Sequence, residues 1–302
     1  MARTLAATAV RVPSGRALVE LLKPVTWFPP MWAFACGVIS ASGFAAPERW
    51  PFIVAGVLLA GPLVCGTSQV VNDWFDRDVD AINEPHRPIP SGRVPGRWGL
   101  GFAIAWTLLS LLVAAALGTW VFVAACGGMA LAWAYSAPPF RLKQNGWLGA
   151  AAVGFCYEGL PWFTAAAVVS GGLPSTPILL LALLYSIGAH GIMILNDFKA
   201  VDGDRQMGIA SVPVQLGPRR AAWVACAVMA IPQFVVVGLL ASWGRPEHAA
   251  AVAGVVLLQL LCMARLMGDP KRLAPWYNAT GVTLYVSGMM ISAFAVATGG
   301  LA

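Results

Sequence analysis

The sequence predicts an all-α, polytopic membrane protein in which nine transmembrane helices surround a central cavity that opens near the cytoplasmic face. Three observations support this fold class. First, 59% of the 302 residues are hydrophobic and only 11% are charged, against about 45–50% and about 25% in ordinary soluble domains. Second, the hydrophobic residues form long continuous runs. Third, the basic residues collect between alternate runs. So apolar a chain does not stay disordered, and it has too few charged residues to cover the surfaces of two soluble domains. Residues 1–302 are therefore predicted to form one transmembrane domain.

Nine stretches approach the length of about 20 apolar residues that a helix needs to cross a bilayer. Their continuous hydrophobicity disfavours a β-barrel, whose strands alternate. Helices are required because hydrocarbon offers no partner to unpaired backbone groups. The nine predicted spans are Thr26–Gly43, Pro51–Trp74, Trp98–Leu117, Trp120–Tyr135, Trp147–Ser170, Ser175–Asn196, Arg220–Trp243, Ala249–Met267 and Trp276–Thr298.

The basic residues predict the orientation of these spans. All of the 19 Lys and Arg residues except Arg49 and Arg245 lie in the N-terminal arm (residues 1–24) or near the loops after the second, fourth, sixth and eighth spans. The positive-inside rule then places the arm and these loops in the cytoplasm. The net charge of +6 is thus mostly orientation charge, with some left for anionic lipids or an anionic substrate, and does not indicate a nucleic-acid partner.

The acidic residues collect in two short segments, each at the cytoplasmic end of an even-numbered span. In the first segment, Asn72–Asp80, the side chains of Asn72, Asp76 and Asp80 are spaced by four. They share one face if the helix continues through the segment. The second segment, Asn196–Asp204, repeats the pattern 124 residues later, with Ala200 at the position of Asp76.

Clustered carboxylates repel one another, so this pattern predicts a compensating cation. Carboxylate and amide oxygens suit Mg²⁺, which usually keeps room for substrate phosphates. The alternative is two solvated acidic loops, which would not need an Asn-Asp pair in the same register after both helices. The predicted metal ligands are Asn72, Asp73, Asp76, Asp80, Asp197, Asp202 and Asp204.

Basic residues are interleaved with the acids, and this favours a diphosphate, whose oxygens bind Mg²⁺ on one side and guanidinium or ammonium groups on the other. Between the two acidic segments lies the Tyr135–Lys143 segment, in which two prolines stiffen a turn that presents Arg141 and Lys143. For these two cations, orientation charge alone is an open alternative. The predicted diphosphate-binding residues are Arg77, Arg87, Tyr135, Arg141, Lys143, Lys199 and Arg205.

Two further ionisable residues, Glu158 and His190, lie inside predicted spans. Ionisable groups are costly there and usually functional. We expect both to line the cavity, although a hydrogen-bonded packing role is an equal alternative. The chain contains no G-x-x-x-x-G-K-[ST] loop, so ATP-type phosphate binding is not supported.

Together these motifs resemble the UbiA superfamily of intramembrane prenyltransferases over nearly the whole chain. The resemblance rests on the Asn-Asp-x-x-Asp-x-x-x-Asp motif that begins at Asn72, on the Tyr135–Lys143 segment and on the second acidic segment. Within the superfamily, the stretch Asp80–Gly92 is most similar to the chlorophyll synthase branch, and the second segment leans toward the bacteriochlorophyll synthases. The sequence departs from these relatives at Ala200 and at His86.

The resemblance implies that a C20 group passes from geranylgeranyl or phytyl diphosphate to the propionate carboxyl of (bacterio)chlorophyllide a, with release of diphosphate. This is the last step of bacteriochlorophyll synthesis. The implied partners are a prenyl diphosphate, a chlorophyllide-type tetrapyrrole, the cofactor Mg²⁺ and the lipid bilayer of a bacterial inner membrane, cytoplasmic or intracytoplasmic. Catalytic roles are assigned to Asp76, Asp80 and Arg77.

The chemistry of this reaction fits the residues. Breaking the allylic C–O bond leaves a carbocation and a diphosphate, whose charge Mg²⁺ and the basic side chains stabilise. A propionic acid, with a pKa of about 4.3, is already ionised at neutral pH and needs no general base, whereas a phenol, with a pKa of about 10, would. Two alternatives remain: a transferase of this superfamily with a quinone precursor or haem as acceptor, and a cation-coupled transporter, whose ion sites usually lie near the membrane midplane.

Overall fold

The fold is built from long apolar helices joined by short loops. The computed structural model describes residues 12–298 apart from 43, 45 and 46. In this part of the chain the one β feature is a single bridge between Asn145 and Ala210. The helices are α1 Gly15–Leu21, α2 Phe28–Ser40, α3 Pro47–Asn83, α4 Trp98–Leu117, α5 Thr119–Ser136, α6 Gly146–Ser170, α7 Thr176–Asn196, α8 Val201–Gln206, α9 Val212–Leu216, α10 Pro218–Ser242, α11 Pro246–Leu266 and α12 Pro270–Ala297.

Proline and glycine set many of the helix ends. Proline stands in the first turn of α7, α10, α11 and α12, where its missing N–H costs nothing and its fixed φ suits a helix. Gly171 ends α6 with φ +70°, a left-handed conformation that glycine adopts without a steric penalty. These signals explain why α6 ends where its predicted span ends and why α7 begins within one residue of its predicted start, and Gly118 similarly ends α4, whose observed bounds coincide with the prediction.

The predicted count of nine transmembrane helices is not confirmed. Eight helices in the described residues are long and apolar enough to cross a membrane. The first predicted span, Thr26–Gly43, corresponds to α2, which has 13 residues and is therefore about 20 Å long. The end of that prediction, Gly43, and the first eleven residues of the predicted N-terminal arm lie outside the described residues.

Helix α3 is longer than predicted, and this matters for the first acidic segment. The predicted span ended at Trp74, but the helix continues to Asn83. Inside α3 the residues Leu59–Cys65 form a π-helical turn that contains Pro62, which lacks an N–H to donate along the helix. A second π turn, Phe155–Gly159, interrupts α6. Turns of this kind are frequent at functional sites.

Small residues allow the helices to approach closely. On α2, a Cβ added at Gly37 would lie 2.2 Å from the carbonyl oxygen of Trp162 on α6. On α7, a Cβ added at Gly191 would lie 2.4 Å from the carbonyl oxygen of Ala225 on α10. Close backbone contact of this kind is how helices associate where lipid removes the hydrophobic driving force.

Helices α10 and α11 are joined by a buried pair of amide side chains. Gln233 donates to Gln259 over 3.1 Å, and Gln259 donates back over 3.0 Å. Each side chain is only 1% exposed. The reciprocal bonds satisfy polar groups that would otherwise be unpaired in an apolar interface.

We expect Gln233→Leu to lower the free energy of unfolding by about 1–3 kcal/mol, because it leaves the Gln259 amide buried without a partner. The double variant Gln233→Leu/Gln259→Leu should lose less, since both polar groups are then gone. Unfolding in mixed micelles, followed by circular dichroism, measures both changes. A double variant less stable than the single variant would show that the amide pair does not act as a unit.

Candidate active site

A cavity of about 740 Å³ lies between α2, α3, α5, α6, α7 and α12. One end is polar, and we call it the motif end because both acidic segments lie there. The deeper wall is largely apolar, with residues such as Leu59, Val64 and Ala125. The exposed side chain of Phe28 and the exposed Thr283 also line the cavity, so it reaches the protein surface between α2 and α12. The polar side chains at the motif end are Gln69, Asn72, Tyr135, Asn196, Asp197, Lys199 and Asn278.

The first acidic segment is helical throughout, so Asn72, Asp76 and Asp80 follow one another along α3 at successive turns. The Asn72 amide donates to Asp76 Oδ2 over 3.1 Å and to Ser136 Oγ over 3.2 Å. These bonds join the acidic helix to the end of α5, where the Tyr135–Lys143 segment begins.

Asp76 is held by the two cations of that segment. The Lys143 ammonium contacts both Asp76 oxygens, and Arg141 Nη2 lies 3.7 Å from Asp76 Oδ1. Arg141 has a left-handed backbone with φ 38°, and its Nε is buried without a hydrogen-bond partner. Burial lowers the pKa of the Lys143 ammonium, and the Asp76 carboxylate opposes that effect. These cations are therefore preorganised beside the carboxylate and only partly hydrated.

Two further acids of α3, Asp73 and Asp80, belong to a second ion-pair chain. Arg87 Nη1 lies 2.8 Å from Asp80 Oδ2 and 3.4 Å from Asp73 Oδ1. Lys23 Nζ, from the N-terminal arm, lies 2.6 Å from the same Asp73 oxygen. Asp73 is only 1% exposed, and its Oδ2 has no hydrogen-bond partner. The chain Lys23–Asp73–Arg87–Asp80 thus ties the arm and the loop after α3 to the acidic helix.

The second acidic segment divides between the cavity and the surface. The side chain of Asn196 accepts a hydrogen bond of 2.7 Å from Asn278 on α12, and Asp197 and Lys199 line the cavity in the 3₁₀ turn that follows α7. Burial raises the pKa of Asp204, and the nearby Ser211 hydroxyl opposes that rise. Asp202 is different, because its side chain is 70% exposed and lies 3.0 Å from Lys271.

The two acidic segments meet at the motif end, beside Tyr135. Asn72 of the first segment and Asn196 and Asp197 of the second line the cavity together with Tyr135. Backbone hydrogen bonds hold the connecting loops together, from Gly146 N to the Ala210 carbonyl over 2.8 Å and from Ala210 N to the Gln144 carbonyl over 3.0 Å. Two segments that are 124 residues apart therefore face the same end of one cavity.

The donor set at the motif end fits a hard divalent cation. Its acidic and amide side chains offer oxygen ligands, which suit Mg²⁺. The described residues contain no group of three or more His, Cys, Asp or Glu side chains close enough to hold a metal ion on their own. Magnesium usually takes only one or two carboxylates together with substrate phosphates and water, so the arrangement fits an ion that arrives with a phosphorylated substrate.

Of the predicted site residues, five line the cavity itself: Asn72, Tyr135, Glu158, Asp197 and Lys199. Asp76, Arg141 and Lys143 are connected to it through the hydrogen bond from Asn72 to Asp76, and the other predicted residues are not among its lining residues. Arg77 lies over the Trp74 ring, 4.5 Å from its centroid, and contacts the exposed Asp78. Arg205 is exposed on α8. The ring of His190 lies 6.0 Å from that of Trp147, and His190 is not among the lining residues.

Glu158 does line the cavity. Its side chain is 5% exposed, and its Oε2 has no hydrogen-bond partner.

Sequence reasoning missed four residues of this site. Lys23 was counted only as orientation charge, although its partner Asp73 is the most buried acid of the first segment. Gln69, Tyr157 and Asn278 are lining residues that stand in apolar stretches. Their signal in the sequence is a polar side chain inside an apolar stretch. The same signal identified Glu158 and His190, but only charged or titratable side chains of that kind were taken as candidates.

Comparison with known proteins gives consistent results. Residues 26–288 match the UbiA prenyltransferase family. The chain is 58% identical to the bacteriochlorophyll synthase 33 kDa chain of Cereibacter sphaeroides, covering 94% of each protein. It is 38% identical to the chloroplastic chlorophyll synthase of Arabidopsis thaliana, covering 92% of this chain and 73% of the plant protein.

A solved UbiA homolog from Archaeoglobus fulgidus, bound to GPP and Mg²⁺, has a similar fold. The TM-score is 0.71 at 22% identity, over 93% of this chain and 99% of the other.

Removing Lys23 tests whether the arm is part of the site. We expect Lys23→Met to lower the free energy of unfolding by about 3 kcal/mol, because it leaves a buried carboxylate short of a partner. Lys271→Met, which breaks the exposed pair with Asp202, is the matched control and should cost less than about 1 kcal/mol. Denaturant titration of detergent-solubilised protein measures both. Equal losses in the two variants would contradict the buried ion-pair chain.

Proposed function

Because the chain belongs to the UbiA prenyltransferase family, we propose that it esterifies the propionate of a bacteriochlorophyllide or chlorophyllide with geranylgeranyl or phytyl diphosphate. The observation that carries this proposal is the polar end of an otherwise apolar cavity. Asn72, Asp197 and Lys199 of the two acidic segments line it, and Asp76 with its cations Arg141 and Lys143 lies beside Asn72. The 58% identity to a bacteriochlorophyll synthase supports the choice of acceptor.

The diphosphate belongs at the motif end. Arg141, Lys143 and Lys199 supply donors for its oxygens, and charge-assisted bonds of this kind are roughly twice as strong as neutral ones. Mg²⁺, when bound, would neutralise the diphosphate as the allylic C–O bond breaks. The residues proposed to hold it are Asn72, Asp76, Asp80, Asp197 and Asp204. Asp73 is left out of this set because it is the most buried of these acids, at 1% exposed, and Asp202 because its side chain is exposed beside Lys271 at the surface.

The apolar part of the cavity has two tasks in this reaction. It receives the isoprenoid chain, and it keeps water away from the allylic cation, which water would otherwise quench. The lining of α3, α5 and α6 in this region consists mainly of aliphatic side chains and small residues. The opening between α2 and α12, where Phe28 and Thr283 are exposed, gives lipid-soluble substrates a route to the cavity from the bilayer.

The acceptor needs no catalytic base. A propionate is ionised at neutral pH, so one of its oxygens attacks C1 of the prenyl group directly while the diphosphate leaves with the bonding electrons. The acidic residues of the site are therefore free to bind metal rather than to move protons.

The location follows from charge distribution. We place the motif end at the cytoplasmic face of a bacterial inner membrane, with the N-terminal arm on the same side. The basic residues that flank both acidic segments support this orientation.

Product analysis tests the reaction. Purified protein incubated with Mg²⁺, geranylgeranyl or phytyl diphosphate and bacteriochlorophyllide a should yield the corresponding ester, identified by its mass, together with diphosphate. 4-Hydroxybenzoate serves as the competing phenolic acceptor. Prenylation of the phenol alone would contradict the proposed acceptor, and solute movement in liposomes without any diphosphate release would point to a transporter.

Within the first acidic segment, Asp76→Asn and Asp80→Asn should each reduce turnover at least a hundredfold at saturating Mg²⁺, because they remove charge that holds the metal and its diphosphate. Asp78→Asn is the matched control, since the Asp78 side chain is 86% exposed, and it should retain activity within about twofold. Chelation by EDTA should stop the wild-type enzyme, and added Mg²⁺ should restore it. Near-normal turnover in both Asp76 and Asp80 variants would refute the metal assignment.

The second segment offers the same comparison. Asp197→Asn should be inactive, whereas Asp202→Asn should remain active, because only Asp197 lines the cavity. An active Asp197→Asn together with an inactive Asp202→Asn would contradict this assignment. It would show that Asp202, and not Asp197, contributes to the site.

A further inference from the structure

One polar contact in the cavity has no part in binding metal or diphosphate. Gln69 Nε2 on α3 donates a hydrogen bond of 3.2 Å to the Tyr157 hydroxyl on α6. Both side chains line the cavity. Tyr157 stands in the π turn of α6, and the sulfur of Cys65, in the π turn of α3, lies 3.8 Å from the same hydroxyl and 3.4 Å from the Thr26 carbonyl oxygen. The two π turns thus meet across the cavity at this hydroxyl.

The hydrogen-bond directions leave one donor free. The Tyr157 oxygen accepts from Gln69, so its own O–H points away from Gln69, and the Cys65 sulfur at 3.8 Å is only a weak acceptor for it. Among the described residues, none accepts a hydrogen bond from it. Gln69 likewise keeps a second amide hydrogen, since an amide carries two donors. The pair therefore presents unused N–H and O–H donors to the cavity.

The position of this pair matches where an acceptor has to sit. Gln69 precedes Asn72 by three residues on α3, which places it about 4.5 Å farther along the helix axis, a little less than one turn from Asn72. The carbon that reacts is attached to the diphosphate at the motif end, and the attacking oxygen must come within about 3–3.5 Å of it. A group bound at Gln69 and Tyr157 would lie beside the motif end, where the diphosphate is proposed to bind.

The chemistry of the pair matches a carboxylate. The side chains of this cluster are all uncharged. They are Tyr157, Gln69, Cys65 and Thr26, whose hydroxyl lies 3.5 Å from the Cys65 sulfur. A Lys or Arg here would hold the acceptor in an ion pair and reduce its reactivity. Neutral donors orient one carboxylate oxygen by hydrogen bonding and leave the other free to attack.

We infer that Tyr157 and Gln69 bind the carboxylate of the acceptor, and this inference rests on the proposed function. One carboxylate oxygen accepts the Tyr157 O–H and a Gln69 N–H. The other forms the new bond to C1 of the prenyl group, as the bond from C1 to the diphosphate oxygen breaks and its electron pair leaves with the diphosphate. No proton is transferred, so Tyr157 stays neutral throughout.

Steady-state kinetics with both substrates varied separately test the inference. Tyr157→Phe and Gln69→Leu should each raise KM for the chlorophyllide about tenfold, the loss expected for a hydrogen bond to a charged group. KM for the prenyl diphosphate should change less than twofold. Ser68→Ala is the matched control and should leave both KM values unchanged. Ser68 also lines the cavity, but its hydroxyl donates to the Cys65 carbonyl oxygen over 2.7 Å and is not available to a ligand.

A binding measurement separates recognition from simple support of the fold. The wild-type protein should bind the free acid of the chlorophyllide about tenfold more tightly than its uncharged propionamide, and Tyr157→Phe should remove that preference. If Tyr157→Phe weakens the binding of both ligands equally, Tyr157 has only a structural role and the inference is overturned. A rise in KM for the prenyl diphosphate alone would overturn it as well. A wild-type protein that forms no ester from any tetrapyrrole would overturn the proposed function and this inference together, whereas an unchanged KM for the chlorophyllide in Tyr157→Phe would overturn the inference alone.

Discussion

The structure depends on the neutralisation of carboxylates that are buried beside an apolar cavity. An unpaired carboxylate in such a place carries a large desolvation penalty. The acids of α3 avoid it because cations reach them from three separate parts of the chain. Lys23 comes from the N-terminal arm, Arg87 from the loop after α3, and Lys143 from the loop after α5. The same ion pairs that satisfy the acids thus determine where these loops lie.

This arrangement also prepares the proposed chemistry. While Lys143 and Arg141 contact Asp76, the acid and the cations satisfy one another. A diphosphate with Mg²⁺ would bring both signs of charge: the acids would then hold the metal, and Lys143 and Arg141 would donate to the phosphate oxygens. The total charge of the site changes little, and neither set is left unpaired in a region of low dielectric. The buried Arg141 Nε, which lacks a partner, is in place to gain one by this exchange.

Much of the fold follows from local patterns in the sequence. Continuous apolar runs bounded by Gly and Pro predicted α4 with its observed ends, and the spacing of Asn72, Asp76 and Asp80 correctly implied a shared helical face. The shortness of α2 and the π turns at Cys65 and Tyr157 were not predictable in this way, because hydropathy measures neither helix length below a full span nor hydrogen-bond register.

The site shows the same division between local and long-range information. Composition and spacing placed both acidic segments together, since each ends a helix of the same parity. They did not separate Asp197 from Asp202, because that difference depends on which side of α8 meets Lys271. Nor did they identify Lys23, whose role depends on the fold of the arm against α3. Contacts between segments far apart in sequence carry no signal in a local pattern.

The central claim is that both acidic segments hold one metal–diphosphate group. Its most direct test is a structure of the protein with Mn²⁺ and a non-reactive prenyl thiodiphosphate, with the metal located by anomalous scattering. The account predicts Mn²⁺ at the motif end within about 2.2 Å of carboxylate oxygens from both segments, with Asp76 and Asp197 on opposite sides of the diphosphate. Metal bound by one segment alone, or outside the cavity, would contradict it.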